Sequence, residues 1–167
     1  MSKVMGAIGI RRCDHKSVGI VVSHKGRILL IERAKPPYGY AAPAGHVDEH
    51  GSFYEAALSE LYEEVGLSKC DLTLLREGCK KNPCRRPGGT HHYWKIYGTE
   101  VNSGVIAIER QEVKSFIWAT SKDLARLAAR TERYLDGNVS DEDWNSKPGL
   151  EPVWKEWFCD LGLLRTA

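Results

Sequence analysis

Apolar and polar positions follow two periods along this chain, and the switches between them mark its elements. "SVGIVVS" (17–23) and "RILLIER" (27–33) are dense in β-branched residues and leucine and flank "HKG", which predicts two strands joined by a tight turn. "AKPPYGYAAPAG" (34–45) carries three prolines and reads as an irregular connection. From Ser52 the period becomes helical. Ser52 and Glu55 have capping-box spacing, and Gly66 stands where a left-handed C-terminal cap belongs. Tyr54, Ala57, Leu58, Leu61 and Val65 share one arc of about 100° and form the expected core stripe. "DLTLLREGC", "HHYWKIYGTEV" and "VKSFIWAT" predict three more strands, with "KKNPCRRPGGT" as a loop and "NSG" as a turn. Ser121 is placed to cap "KDLARLAARTERYL", whose Leu124, Leu127, Ala128 and Leu135 recur at helical spacing, and Pro152 opens a last helix, "PVWKEWFCDL", that stops before Gly162. These elements predict an α/β/α sandwich with a mixed β-sheet, in one domain over 1–167 with a helical C-terminal extension from about residue 138.

The first helix poses a chemical question. Glu60, Glu63 and Glu64 fall on a second arc beside the apolar stripe. Like charges at this spacing cost a few tenths of a kcal/mol per pair, and more where water is excluded. One reading is a solvated acidic face. The other is a divalent-cation site, because Mg2+ and Mn2+ prefer hard oxygen ligands around a partly open cavity that also admits phosphate.

The run Gly45–Leu67, "GHVDEHGSFYEAALSELYEEVGL", resembles the Nudix box, G-x5-E-x7-R-E-U-x-E-E-x-G-U with U apolar. Gly45, Glu60, Leu61, Glu63, Glu64, Gly66 and Leu67 match. "APAG" before the box and "FIWATSKDL" after the later strands are also similar to the family, so the resemblance spans most of residues 17–125. It depends on two departures as well. Gly51 stands where the family has glutamate, and Ser59 where it has arginine. An arginine there would neutralise and orient the neighbouring carboxylates, so its loss weakens the metal site unless the metal compensates. The milder alternative is that one acid and one base disappeared together and left no orphaned charge.

The resemblance implies a Mg2+- or Mn2+-dependent hydrolase that cleaves the pyrophosphate linkage of a nucleoside diphosphate joined to another group. Glu60, Glu63 and Glu64, with a main-chain carbonyl at Ala44 or Gly45, correspond to the metal ligands. The general base is Glu60, Glu112 or Glu109; family members carry an acid on the loop before the strand that here ends at Trp118. Gly51 and Ser59 motivate an alternative, a catalytically impaired nucleotide-binding module. A third reading is an interaction protein whose acidic helix is only solvated.

Several residues suit substrate recognition by their own chemistry. Arg33, Lys35, Arg85 and Arg86 are cations at a strand end or in loops, and arginine's planar fork matches phosphate. Tyr38, Tyr40 and Trp94 are candidates to stack on a base, against the plainer reading of rim or core packing.

Composition narrows the partners. Lys plus Arg number 24 against 22 Asp plus Glu, a net charge of +2, which argues against nucleic acid or a membrane surface and for a local anion site. The N-terminal run lacks both a cleavage-type sequence and the length to span a bilayer, pointing to the cytoplasm. Five cysteines with no C-x-x-C pair fit reduced thiols better than a disulfide framework. A zinc clip built from Cys79 and Cys84 with His91 and His92, or from Cys13 with His15, is the weaker reading, because the second arm has no regular spacing. Trp144, Trp154 and Trp157 in the C-terminal segment are expected to seal one face of the sheet, the alternative being a homodimer contact.

Overall fold

A computed structural model describes residues 9–165. The predicted hairpin forms from β1 (Lys16–His24) and β2 (Arg27–Arg33). The proline-rich connection is more ordered than its sequence suggests. Two short strands interrupt it, β3 (Tyr40–Ala41) and β4 (Ala44–His46), because Tyr40 and Ala41 pair with β2 and Pro43 O accepts from Ile20 N on β1. Then come α1 (Phe53–Val65), β5 (Thr73–Lys80), β6 (His92–Glu100), β7 (Val113–Ala119), α2 (Ser121–Leu135), α3 (Asp141–Ser146) and α4 (Pro152–Asp160).

The seven strands make one mixed sheet. Its main path runs β3-β2-β1-β6-β5, and β7 pairs with β2. β1 lies parallel to β6 along almost its whole length, and the other pairings are antiparallel. On its other edge β1 changes partner. Ser23 and His24 pair with β2, whereas Ser17, Val18 and Gly19 pair with His46, Gly45 and Ala44 of β4. The sheet therefore forks at β1, and the fork leaves room for a site.

β1 is apolar on both faces because both are covered. Val18, Ile20 and Val22 point to α1 and pack with Ala56, Ala57, Leu61 and Val65. Val21 points to the opposite layer, where α2 and α4 contribute Leu124, Leu127, Trp154, Trp157 and Phe158. Trp154 sits directly over Gly19, where a side chain of any size would overlap the indole. The C-terminal tryptophans thus seal a sheet face, with Trp144 stacked on Tyr134 at 4.3 Å beside them.

Local details depart from the expected pattern in four places. Ala56 takes the core position assigned to Tyr54, which is exposed and reaches across to Leu72 N. Leu135 is exposed as α2 runs past its packing partners, and Thr131 is buried one turn earlier. Thr120, one residue before Ser121, is the true N-cap of α2 and completes a capping box with Asp123. α3 was not anticipated. It is a short turn capped by Ser140, too brief to show a hydrophobic period.

Candidate active site

Ser52 Oγ accepts from Glu55 N at 3.1 Å, while the Glu55 carboxylate lies against Gly51 instead of closing the box. Gly51 has φ of +87°, in the left-handed region, so backbone geometry favours glycine where the family pattern has glutamate. At the other end Gly66, at φ +72°, donates to Leu61 and Tyr62 carbonyls as a left-handed cap. The loop before β7 docks on the same end. Ala107 N donates to Val65 O, and Glu109 N to Glu64 O at 3.0 Å. Those bonds bring Glu109 and Glu112 to the acidic face of α1.

The acidic face meets the fork. Ala44 N on β4 donates to Glu64 Oε2 at 3.1 Å. Gly45 presses on the Glu60 carboxyl so closely that a Cβ would overlap it. Both carboxyls are recessed among protein atoms, although each residue keeps part of its surface open to the cavity. Burial, reinforced by Glu64 and Glu63, pushes Glu60 up to about 9. Burial pushes Glu64 up to about 8 against the opposing pull of Arg33 and the Ala44 N–H. Glu63 is more exposed, and Ser59 Oγ donates to its Oε1 at 2.7 Å. Ser59 thus supplies a neutral donor where the family pattern has arginine. Two carboxyls that resist ionisation, held against a main-chain strand with little opposing charge, form a donor set that fits a hard divalent cation.

These groups line a cavity of about 1200 Å³ together with Arg33, Arg85, Arg86, Glu109 and Glu112. The β2–β7 register slips between Glu32 and Arg33, an irregularity of the kind that re-aims a side chain. Arg33 reaches the cavity and pairs with buried Glu151 at 3.6 Å. Glu112 is gripped by Lys35 and lies 3.8 Å from Arg85. Glu109 accepts from Gln111 N and Glu112 N, both at 3.0 Å, and so acts as a loop brace. Arg86 spends both arms of its fork on Asp48, at 2.6 and 2.9 Å. Lys35 and Tyr40 stand outside the lining; the Tyr40 hydroxyl faces Glu32 at 3.5 Å. Trp94 touches the cavity only at its edge. Its ring is buried against Trp154 and Trp157 and its Nε1 donates to Asn82.

The far wall holds an arrangement of different chemistry. Cys13, His46, Cys84 and His92 bring one ligand atom each to within 4.8 Å of all the others. Partial burial, helped by nearby Arg86, pushes His46 down to about 4. Cys79 is exposed on β5 and takes no part, and His91 stacks on His15 at 4.3 Å. His46 gave no signal of its own because it lies inside the box motif.

The Nudix domain profile matches residues 14–137. This chain belongs to the Nudix family. Among curated proteins it is similar to the asymmetrical bis(5'-nucleosyl)-tetraphosphatase of Caenorhabditis elegans, with 27% identity over 70% of this chain and 87% of that protein. It is also similar to the RNA pyrophosphohydrolase of Caulobacter vibrioides, with 30% identity over 70% of this chain and 78% of that protein. Among solved structures the C. elegans Ap4A hydrolase binary complex aligns with TM-score 0.57 and 22% identity over 73% of this chain and 98% of that one. A Methanosarcina mazei MutT protein aligns with TM-score 0.63 and 12% identity over 91% and 95%. At these identities the structural likenesses establish the Nudix fold, with its mixed sheet between helical layers. Among the described residues no helix is long and apolar enough to cross a membrane.

Proposed function

We propose that this Nudix protein is a cytoplasmic, divalent-metal-dependent hydrolase cleaving the pyrophosphate linkage of a nucleoside diphosphate joined to another group. The observation that carries the reading is the contact of Glu60 and Glu64 with β4, beside Glu63, in a cavity whose other walls hold Arg33 and Arg85. A tetraphosphatase and a pyrophosphohydrolase among the relatives agree with it. Glu60, Glu63 and Glu64, with a main-chain carbonyl at Ala44 or Gly45, would hold Mg2+ or Mn2+. Such an ion would supply Lewis-acid polarisation of a phosphoryl oxygen and would make a bound water more acidic.

The remaining work belongs to the chain's own groups. Glu112 faces the acidic helix across the cavity and accepts the water's proton; Lys35 holds it in place. The phosphates draw Arg85 away from Glu112, because a polyphosphate carries more charge than one carboxylate, and this frees Glu112 as a base. Arg33, anchored by Glu151, offsets charge on the departing phosphate. Arg86 positions the loop through Asp48. A cavity of about 1200 Å³ admits a nucleotide with a sizeable second group. With no long basic stripe, a small nucleotide fits better than an RNA chain.

The test is phosphate or nucleotide release from a panel of nucleoside diphosphate derivatives, dinucleoside polyphosphates and 5'-triphosphorylated RNA, with Mg2+ or Mn2+. A Glu63→Gln, Glu64→Gln double variant serves as control. Turnover that the double variant loses supports the reading and names the substrate. Ser59 favours a second reading, since it orients Glu63 without adding charge. Tight nucleotide binding without turnover would select that one, a binding module.

A further inference from the structure

We infer that Cys13, His46, Cys84 and His92 form a tetrahedral zinc site, separate from the glutamate site and built to hold the substrate-facing loop. The donor set decides the metal. Two thiols and two imidazoles, with no carboxylate among them, match zinc and disfavour Mg2+ or Mn2+. The spacing agrees. Zn–S bonds of about 2.3 Å and Zn–N bonds of about 2.0 Å give tetrahedral S···N edges of about 3.5 Å. Cys13 Sγ lies 3.6 Å from His46 Nε2 and 3.1 Å from His92 Nε2.

The surroundings support three of the ligands. The ring of His92 is buried and turns its Nε2 into the cluster, 3.1 Å from Cys13 Sγ. His15 N donates to Cys13 Sγ at 3.3 Å, a contact that favours a thiolate. Cys84 opens a tight loop in which Cys84 N donates to Gly89 O at 2.8 Å and Gly89 N to Arg86 O at 3.0 Å. Gly89 leaves the space that Cys84 Sγ fills. Cys13 N donates to Pro87 O at 3.1 Å, so the segment before β1 already clasps this loop.

The four ligands come from four separated places: the segment before β1, the end of β4, the β5–β6 loop and the first residue of β6. Zinc there would tie all four together. His46 directly follows Gly45, and Cys84 directly precedes Arg85 and Arg86. The metal therefore fixes the β4 cradle and the cationic loop relative to each other, whichever substrate the cavity takes. The inference rests on ligand geometry and not on the hydrolase reading.

Metal analysis of the full chain, purified without chelator, tests it. The expected result is about one zinc per chain, retained by the Glu63→Gln, Glu64→Gln variant and lost by Cys84→Ser and by His92→Ala. The native chain produced with Co2+ provides a reading that does not depend on the folding of those variants. A thiolate-to-cobalt charge-transfer band with intense tetrahedral d–d absorption is expected, and that band disappears when Zn2+ is added. Zinc absent from the native protein, or zinc lost by the glutamate variant and kept by Cys84→Ser, would overturn the inference. So would a Cys13–Cys84 disulfide found by mass spectrometry, or a cobalt form without thiolate bands.

Discussion

The carboxyl of Glu60 rests on the α-carbon of Gly45, in space that any other residue's Cβ would occupy. Gly45→Ala must displace the end of a flexible side chain and not the backbone. Stability should change little, while activity falls by about 10²-fold, the usual consequence of shifting a reacting group by an ångström. Thermal unfolding and turnover measured on one sample separate the two effects. A large loss of stability with activity retained would show that the contact only packs.

Ser59 already donates to Glu63 at 2.7 Å, so restoring arginine should bring little. Ser59→Arg is expected to change turnover by less than about tenfold, the gain of a partly solvated charge near a carboxylate. A rise of several orders of magnitude would mean the natural site is crippled and its nucleotide-binding role comes first.

Glu112→Gln keeps shape and hydrogen-bonding capacity but removes the proposed base. We expect kcat to fall by about 10² to 10⁴, with KM nearly unchanged. Steady-state kinetics across pH decide the matter. Unchanged turnover would return the role to Glu60, since Glu109 is committed to bracing its own loop.

With Mg2+ and Mn2+ removed, Glu60 and Glu64 hold protons in the folded state that the unfolded chain has released, because their folded values near 9 and 8 stand above 4.5. Folding stability should therefore fall as pH rises toward those values. His46, lowered to about 4, acts in the opposite direction, but only below its unfolded value of 6.5. The window from about pH 7 to about pH 8.5 isolates the glutamates. Melting temperatures should drop across it in the wild type, drop less in Glu60→Gln, Glu64→Gln, and recover when Mg2+ returns. A flat wild-type profile would show that the carboxyls are better solvated than their burial implies.

The acidic helix was legible because its information is local: a serine cap, a terminal glycine, and apolar and acidic arcs within one run of residues. The strands were legible for the same reason. What escaped depends on contacts between distant segments. β3 and β4 form among prolines because the sheet fork receives them, and Trp94, read as a possible base platform, is enclosed by tryptophans from the far end of the chain. The Cys2His2 cluster is the clearest case. Cys13 and His92 are 79 residues apart, and His46 lies inside a motif that explained the region without it. Arg86 lines the cavity as a cation and is also held by Asp48, a pairing that no sequence spacing announces.

The parallel pairing of β1 with β6 also governs when this protein can fold. Residues 16–23 find their partners only at 93–100, so during synthesis the first hairpin leaves the ribosome with both apolar faces bare and one long edge open. It must wait for more than half the chain, the acidic helix included, before the sheet can close. Non-local pairing of this kind slows folding and leaves nascent strands exposed to wrong partners. Slow translation between the hairpin and β6 would lengthen that hazard, and chaperone occupancy of nascent chains should be greatest in that interval.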